Sequence, residues 1–135
     1  MAAITPKTGG PYAKFVALQS AATGTTTDWL DVPEWANAVR VHLRVTAAGT
    51  NTILTIKGAH PTVRDDGTAI TLVTSATITA TGYHTYTLTP SGTAVADSAT
   101  VSTGVVAAAS VPKLIGVTTT PTGSTYSTDI EFLKL

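Results

Sequence analysis

The stretch VRVHLRVTAAGTNTILTIKG, residues 39–58, decides the fold class of this chain. In each half every second residue is apolar, which is the period of a β-strand with one buried face. The halves, 39–47 and 52–58, are separated by the turn-forming residues AGTN. We therefore predict a hairpin in which Val45 lies opposite Leu54, so that the apolar rows of both strands share one face.

The composition extends this prediction to the whole chain. Its 135 residues fit one domain, and they include 29 threonines, 11 glycines and 7 prolines. Threonine suits a half-exposed pleated surface, while glycine and proline divide the chain into short segments. We predict an all-β fold: a single antiparallel β-sandwich or jelly roll of about 7–9 short strands. Residues 1–11 are expected to form an extended N-terminal arm, and residues 12–135 the sandwich.

Several further segments are assigned from their local patterns. A closing hairpin is predicted from 113–119 and 126–133, around the turn residues TPTGS. One strand is predicted over 69–78, and another near 95–101, followed by an irregular buried connection to which a short helical turn is the alternative. Trp29 is expected to be the most buried residue, because a small sandwich needs large side chains to fill its middle.

The chain carries little charge for its size. Charged residues make up 12% of it, about half the usual ~25%. The mean hydropathy is +0.25, yet no run of about 18 apolar residues exists to span a membrane, and no apolar secretory leader is visible. A net charge of +0 argues against binding to nucleic acid, which needs an excess of lysine and arginine. We expect much of the surface to be covered by neighbouring subunits in an assembly.

Arg40, His42 and Arg44 form a row of cationic residues on the 39–47 strand. One interpretation is a solvated outer face, which the alternation requires once the apolar residues between them point inward. The other is a cationic strip that docks an acidic partner surface or a carboxylate ligand, since arginine is enriched at protein contacts. We favour the interpretation as a solvated sheet face and keep the docking surface as the alternative.

The sequence contains no recognisable catalytic or metal-binding pattern. His42, His60 and His84 do not have the spacing of a zinc site, and the chain has no cysteine. Asp65 and Asp66 precede a glycine, which is more typical of a turn than of a calcium loop. No nucleophile elbow and no phosphate-binding loop occur. The sequence therefore predicts no catalytic residues, no metal and no cofactor.

The aromatic side chains have two interpretations. They can pack the core or an interface, which is the more common role in a small sandwich. Alternatively they can build a platform on which sugars stack. The residues concerned are Trp29, Trp35, Tyr12, Tyr83, Tyr86 and Tyr126.

Three stretches resemble small β-sandwich proteins from the virions of tailed bacteriophages. They are TDWLDVPEWANAVRVHLRV at 27–45, GTNTILTIKG at 49–58 and VPKLIGVTTTPTGSTYSTDIEFLKL at 111–135. The likeness covers most of the chain from Thr27 onward and lies in strand alternation and Gly/Thr turns. Within that group the chain is most similar to capsid decoration, or cement, proteins in its size, its lack of cysteine and its N-terminal arm.

This resemblance implies a non-enzymatic function. It implies a homotrimer on the outer capsid surface of a virion, made in the host cytoplasm, which bridges subunits of the major capsid protein and stabilises the shell. It implies no direct contact with nucleic acid or membrane. The alternative is a glycan-binding module on a virion tail, fibre or cell-wall-directed protein. The residues expected to contact the partner are Ile4, Pro6 and Lys7 in the arm and Arg40, His42 and Arg44 in the sheet.

Overall fold

A computed structural model describes residues 14–60, 62, 64, 67, 69–88, 94–96 and 111–135. These residues form nine β-strands and, among themselves, no α-helix. The all-β prediction is therefore confirmed. The strands are β1 (Phe15–Ala22), β2 (Thr26–Asp31), β3 (Ala38–Ala47), β4 (Asn51–Ala59), β5 (Ile70–Thr74), β6 (Gly82–Leu88), β7 (Ala94–Ala96), β8 (Leu114–Thr122) and β9 (Thr125–Leu133).

The strands form two antiparallel sheets. The five-stranded sheet has the order β1-β9-β3-β6-β7, and the four-stranded sheet has the order β2-β8-β4-β5. Buried side chains from both sheets belong to one hydrophobic cluster, so the core lies between them. This architecture is the antiparallel β-sandwich that the alternating pattern predicts.

Both predicted hairpins are wrong, and for the same reason. β3 and β4 lie in different sheets, as do β8 and β9. β3 pairs with β9 and β6, so Val45 lies opposite Tyr126 and Gly82 rather than opposite Leu54. The alternation correctly identifies Val45 and Leu54 as buried. Their apolar rows, however, face each other across the core instead of lying side by side in one sheet.

The two short connections between the sheets meet at one end of the sandwich, which we call the crossover end. Residues 48–50 join β3 to β4, and residues 123–124 join β8 to β9. A Cβ atom on Gly49 would lie 2.3 Å from the carbonyl carbon of Gly123, whose own φ is +74°. Glycine at both positions therefore allows the two connections to touch.

The opposite end of the sandwich, which we call the arm end, is where β1 begins and β9 ends. The amide of Phe132 donates a hydrogen bond to the carbonyl of Lys14 at 2.8 Å. Residues 32–37 connect β2 of one sheet to β3 of the other at this end. The predicted arm, residues 1–11 with Ile4, Pro6 and Lys7, lies outside the described residues.

Trp29 is buried, but it is not the most buried residue and does not lie in the main core. Its side chain is 7% exposed and packs with Ala59 and Leu114 in a small separate cluster. Alternation along β2 places Leu30 in the core, so Trp29 points to the outer face of the four-stranded sheet. There its ring covers Gly116, where a Cβ atom would lie 2.8 Å from the ring.

Two predicted strands differ in extent from those observed. β5 ends at Thr74 instead of continuing to residue 78, and its register shifts so that Leu72 and Val73 are both buried. A bulge of this kind breaks the period of two on which the longer prediction rested. β7 covers only Ala94–Ala96 of the predicted strand, and residues 97–101 lie outside the described part of the chain.

Candidate functional site

The row of Arg40, His42 and Arg44 lies on the outer face of the five-stranded sheet. The residues between them, such as Val41 and Leu43, are fully buried, which confirms the alternation. Strand β9 runs beside this row and places an acidic or polar residue opposite each cation. Glu131 lies opposite Arg40, Asp129 opposite His42, and Ser127 opposite Arg44.

Glu131 is the centre of an ionic cluster on this face. Its Oε1 atom accepts a hydrogen bond from His42 Nε2 at 3.1 Å and lies 3.8 Å from Arg40 Nη1. Its Oε2 atom lies 3.9 Å from Lys14 Nζ, at the start of β1. The residue is only 8% exposed, so burial makes these partners necessary to stabilise its charge.

His42 connects this carboxylate to an exposed tyrosine. Because a carboxylate only accepts hydrogen bonds, Nε2 donates to Glu131, while Nδ1 shares a hydrogen bond with the Tyr83 hydroxyl. The Tyr83 ring also packs edge-on against the imidazole, with the ring centroids 5.7 Å apart and the planes at 70°. On the other side, the Phe15 ring lies 6.3 Å from His42. We call Lys14, Arg40, His42, Tyr83 and Glu131 the His42 network.

The three cations of the row thus differ in their surroundings. Arg40 donates from Nε to the Thr87 hydroxyl at 3.1 Å in addition to facing Glu131. His42 uses both ring nitrogens within the network. Arg44 is exposed, and no described residue forms an ion pair or a hydrogen bond with it. Of the predicted contact residues in the sheet, Arg44 alone keeps an unengaged cationic group.

A depression of about 350 Å³ opens beside Arg44. Tyr83, Ser127 and Asp129 line it together with His42. Asp129 is exposed and, like Arg44, has no ionic partner among the described residues. The Ser127 hydroxyl accepts a hydrogen bond from the amide of Ala21 at 3.0 Å, which leaves its own proton available. The depression therefore combines one free cation, one free carboxylate, a free hydroxyl proton and an aromatic ring.

The order carboxylate, imidazole, hydroxyl in the His42 network is also that of a nucleophilic triad. Here the carboxylate of Glu131 binds Nε2 and the hydroxyl binds Nδ1, the reverse of the serine-protease arrangement, and the hydroxyl belongs to a phenol. The arrangement is suited to hold the Tyr83 ring in one orientation. Among the described residues, no group of three His, Asp or Glu side chains is placed to hold a metal ion.

Polar side chains between the sheets serve the fold. The Tyr126 hydroxyl donates to the carbonyl of Gly24 at 2.9 Å and lies 2.6 Å from the Thr26 hydroxyl, which joins the two sheets. The buried Asp28 accepts from Gln19 Nε2 with both oxygens. Burial raises the pKa of the Tyr126 phenol, and the nearby charge of Asp28 raises it further.

Burial also shifts the pKa of two residues on β6. It raises the pKa of Tyr86 and lowers the pKa of His84, because in both cases the charged form loses hydration. These two side chains alternate with Tyr83 and point to the interior side of the sheet. Neither belongs to the exposed depression.

Large apolar side chains are exposed at the arm end. Phe15 is 58% exposed, Ile70 62% and Leu135 65%. Phe15 begins β1, Ile70 begins β5, and Leu135 follows β9. An apolar groove of about 410 Å³, lined by Ile70, Leu72 and Pro112, lies there as well. We call these exposed side chains and the groove together the apolar patch.

Sequence reasoning did not identify Glu131 or Asp129 as site residues. The alternation in STDIEFL, residues 127–133, places both acids on one face of the last strand, so a signal was present. Their position opposite the cationic row could not be predicted, because the sequence pattern pairs β9 with β8, whereas in the structure β9 pairs with β3.

Among the described residues, no helix is long and apolar enough to cross a membrane. Comparisons of the chain with known protein families, with curated proteins and with solved structures gave no match.

Proposed function

We propose that this chain is a non-enzymatic structural protein that attaches to a protein shell and stabilises it, as a bacteriophage capsid decoration protein does. The observation that carries the proposal is the apolar patch at the arm end. Phe15, Ile70 and Leu135 are each more than half exposed there, in a chain with only 12% charged residues. Exposed large apolar side chains at one end of a domain are typical of a surface that contacts another protein.

The location of the patch supports attachment by this end. The predicted arm leads directly into Lys14 and Phe15, so arm and patch are continuous along the chain. An arm that lies along a neighbouring subunit would bring Ile4 and the patch onto the same partner surface. Removing apolar surface from water contributes about 25 cal/mol per Å², so each covered side chain adds to the attachment.

The partner in this proposal is the major capsid protein on the outer surface of a virion. The resemblance of residues 27–45, 49–58 and 111–135 to phage virion proteins supports that choice. Binding across neighbouring capsid subunits stabilises the assembled state by mass action. Self-association into a homotrimer would cover further apolar surface and fits the low charge.

The test mixes purified variants with undecorated shells of the cognate major capsid protein and measures occupancy over a dilution series. Phe15→Ala and Ile70→Ala are each expected to weaken attachment at least threefold, and the double variant at least tenfold, which is about 1.4 kcal/mol. Tyr83→Ala is the matched control, because Tyr83 is 57% exposed but lies toward the crossover end. Equal occupancy by the double variant and the parent would overturn the proposal.

A further inference from the structure

We propose that the depression lined by Arg44, Tyr83, Ser127 and Asp129 binds a neutral sugar ring. It lies on the outer face of the five-stranded sheet, toward the crossover end, while the Phe15 ring of the arm end lies 6.3 Å from His42 on the same face. The proposal does not rest on the attachment of the arm end to a shell. It follows from three properties of the depression: a fixed aromatic ring, a balanced set of polar groups and a suitable size.

The aromatic ring is Tyr83, which is exposed but held in place. Its hydroxyl is bound to His42 Nδ1, and His42 is itself fixed by Glu131 at 3.1 Å. The edge-on contact with the imidazole sets the tilt of the ring. A ring that is already ordered loses little conformational entropy when a ligand stacks on it. An exposed tyrosine without such support would have to be ordered by the ligand.

The polar groups suit a ligand whose hydroxyls both donate and accept hydrogen bonds. Arg44 supplies donors, Asp129 supplies acceptors, and the Ser127 hydroxyl has a proton to donate while it accepts from Ala21. Neither Arg44 nor Asp129 is engaged by a described residue, so a ligand does not have to break an internal ion pair. Neighbouring hydroxyls of a sugar ring can satisfy the guanidinium and the carboxylate together.

The charges on this face favour a neutral ligand over an ionic one. Lys14, Arg40 and Arg44 are opposed by Asp129 and Glu131, so the face is close to electrical balance. An anionic ligand bound to Arg44 would lie beside the free carboxylate of Asp129, and a cationic ligand bound to Asp129 would lie beside Arg44. In either case the ligand would be repelled by a neighbouring group of the same charge. The same balance disfavours a nucleotide, whose phosphate needs an excess of cations.

The volume fits a small ligand. At about 350 Å³ the depression lies near the lower end of the ~300–1,000 Å³ typical of ligand sites. A second depression, also of about 350 Å³, adjoins it on the other side of Arg44 and Tyr83, where Thr46 and Thr81 line it. Two adjoining depressions separated by a tyrosine fit two linked rings better than a single one.

The experiment uses the full chain and saturation-transfer NMR with methyl glycosides of glucose, galactose, mannose and N-acetylglucosamine, followed by their disaccharides. We expect saturable binding of at least one neutral glycoside and tighter binding of its disaccharide. Glucuronic acid and glucosamine serve as the charged probes and are expected to bind at least tenfold more weakly. Absence of binding by every neutral glycoside, or stronger binding by a charged probe, would overturn the proposal.

Variants then locate the site. Tyr83→Ala, Arg44→Ala and Asp129→Asn are each expected to lower affinity at least tenfold, while Tyr83→Phe keeps the ring, loses its hydrogen bond to His42 and is expected to lower affinity by a smaller factor. Ile70→Ala is the control, because it shortens an exposed apolar side chain on the other sheet, outside the depression. Arg44 and Asp129 are exposed, so their variants should fold even if Tyr83→Ala does not. Unchanged affinity in both Arg44→Ala and Asp129→Asn would show that the sugar binds elsewhere, which would refute the proposed site. Loss of shell attachment in Ile70→Ala with intact sugar binding would separate the two proposals.

Discussion

At the scale of single residues, Glu131 has the largest effect on the outer face of the five-stranded sheet. Its buried carboxylate faces Lys14, Arg40 and His42, and through His42 it positions Tyr83. Without it, the cations of this face would lie close together with no buried counter-charge. The contribution of Glu131 to the free energy of unfolding can be compared with that of an exposed ion pair in the same protein, Asp31 with Arg64.

We predict that Glu131→Gln lowers the free energy of unfolding by about 1.5–3 kcal/mol, the range for hydrogen bonds to charged groups. The amide keeps the shape of the side chain but loses the charge that Lys14, Arg40 and His42 face. Asp31→Asn removes the exposed pair with Arg64, whose nitrogen lies 2.8 Å from the carboxylate. That control should cost less than about 1 kcal/mol. Urea unfolding of both variants tests this prediction. Equal losses of unfolding free energy would show that burial does not strengthen the interactions of Glu131.

At the scale of elements, the two crossovers determine the topology. β3 and β4 have strand patterns joined by a turn-like sequence, as do β8 and β9, yet each pair is divided between the sheets. Residues 48–50 and 123–124 are short enough for hairpins, but they pack on each other at Gly49 and Gly123. The hydrogen bond from Thr50 to Thr122 ties them together at 2.8 Å. Each crossover thus supports the other.

We predict that Gly49→Ala destabilises the fold by about 1–3 kcal/mol, the usual cost of overpacking a filled site. The new methyl group would lie 2.3 Å from backbone atoms of Gly123, which can yield only if the connection moves. Gly24→Ala is the matched control, since its Cβ would meet nothing within 4 Å. Its effect should stay within about 0.5 kcal/mol. Thermal unfolding measures both, and a neutral Gly49→Ala would mean that the crossovers do not need this contact.

At the scale of the whole molecule, the two ends differ in chemistry. The arm end presents Phe15, Ile70 and Leu135 and continues into the predicted arm. Toward the crossover end, the outer face presents a balanced set of polar groups around Tyr83. In the proposed function, this division would leave the outer face open to solvent while the arm end attaches to a shell.

We predict that deleting residues 1–10 leaves the sandwich folded with nearly the same melting temperature. The segment contains Ile4 as its one large aliphatic residue, too little apolar surface to offset a backbone ordering cost of roughly 1–2 kcal/mol per residue. Attachment to undecorated shells should nevertheless weaken at least tenfold, about 1.4 kcal/mol. Circular dichroism and the occupancy assay measure the two effects. Full occupancy by the truncated chain would show that the arm takes no part in attachment.

The sequence by itself determined the fold class and the orientation of most side chains. The alternation in 39–47 and 52–58 correctly separates Val41, Val45 and Leu54 from the outward row. This succeeds because the choice between interior and solvent is made locally: successive side chains of a strand point to opposite faces, and apolar ones gain by burial. The same logic explains why the cationic row is first of all the outer face of a sheet.

Only the tertiary structure decided which strands pair, and with that the composition of the candidate site. Tyr83 lies 41 residues from His42 and Glu131 lies 89 residues from it, and they meet because β6 and β9 flank β3. Alternation cannot distinguish a neighbour in the same sheet from one across the core, because both bury the same face. The choice depends on packing the whole core between two sheets. The His42 network and its depression are a consequence of that packing.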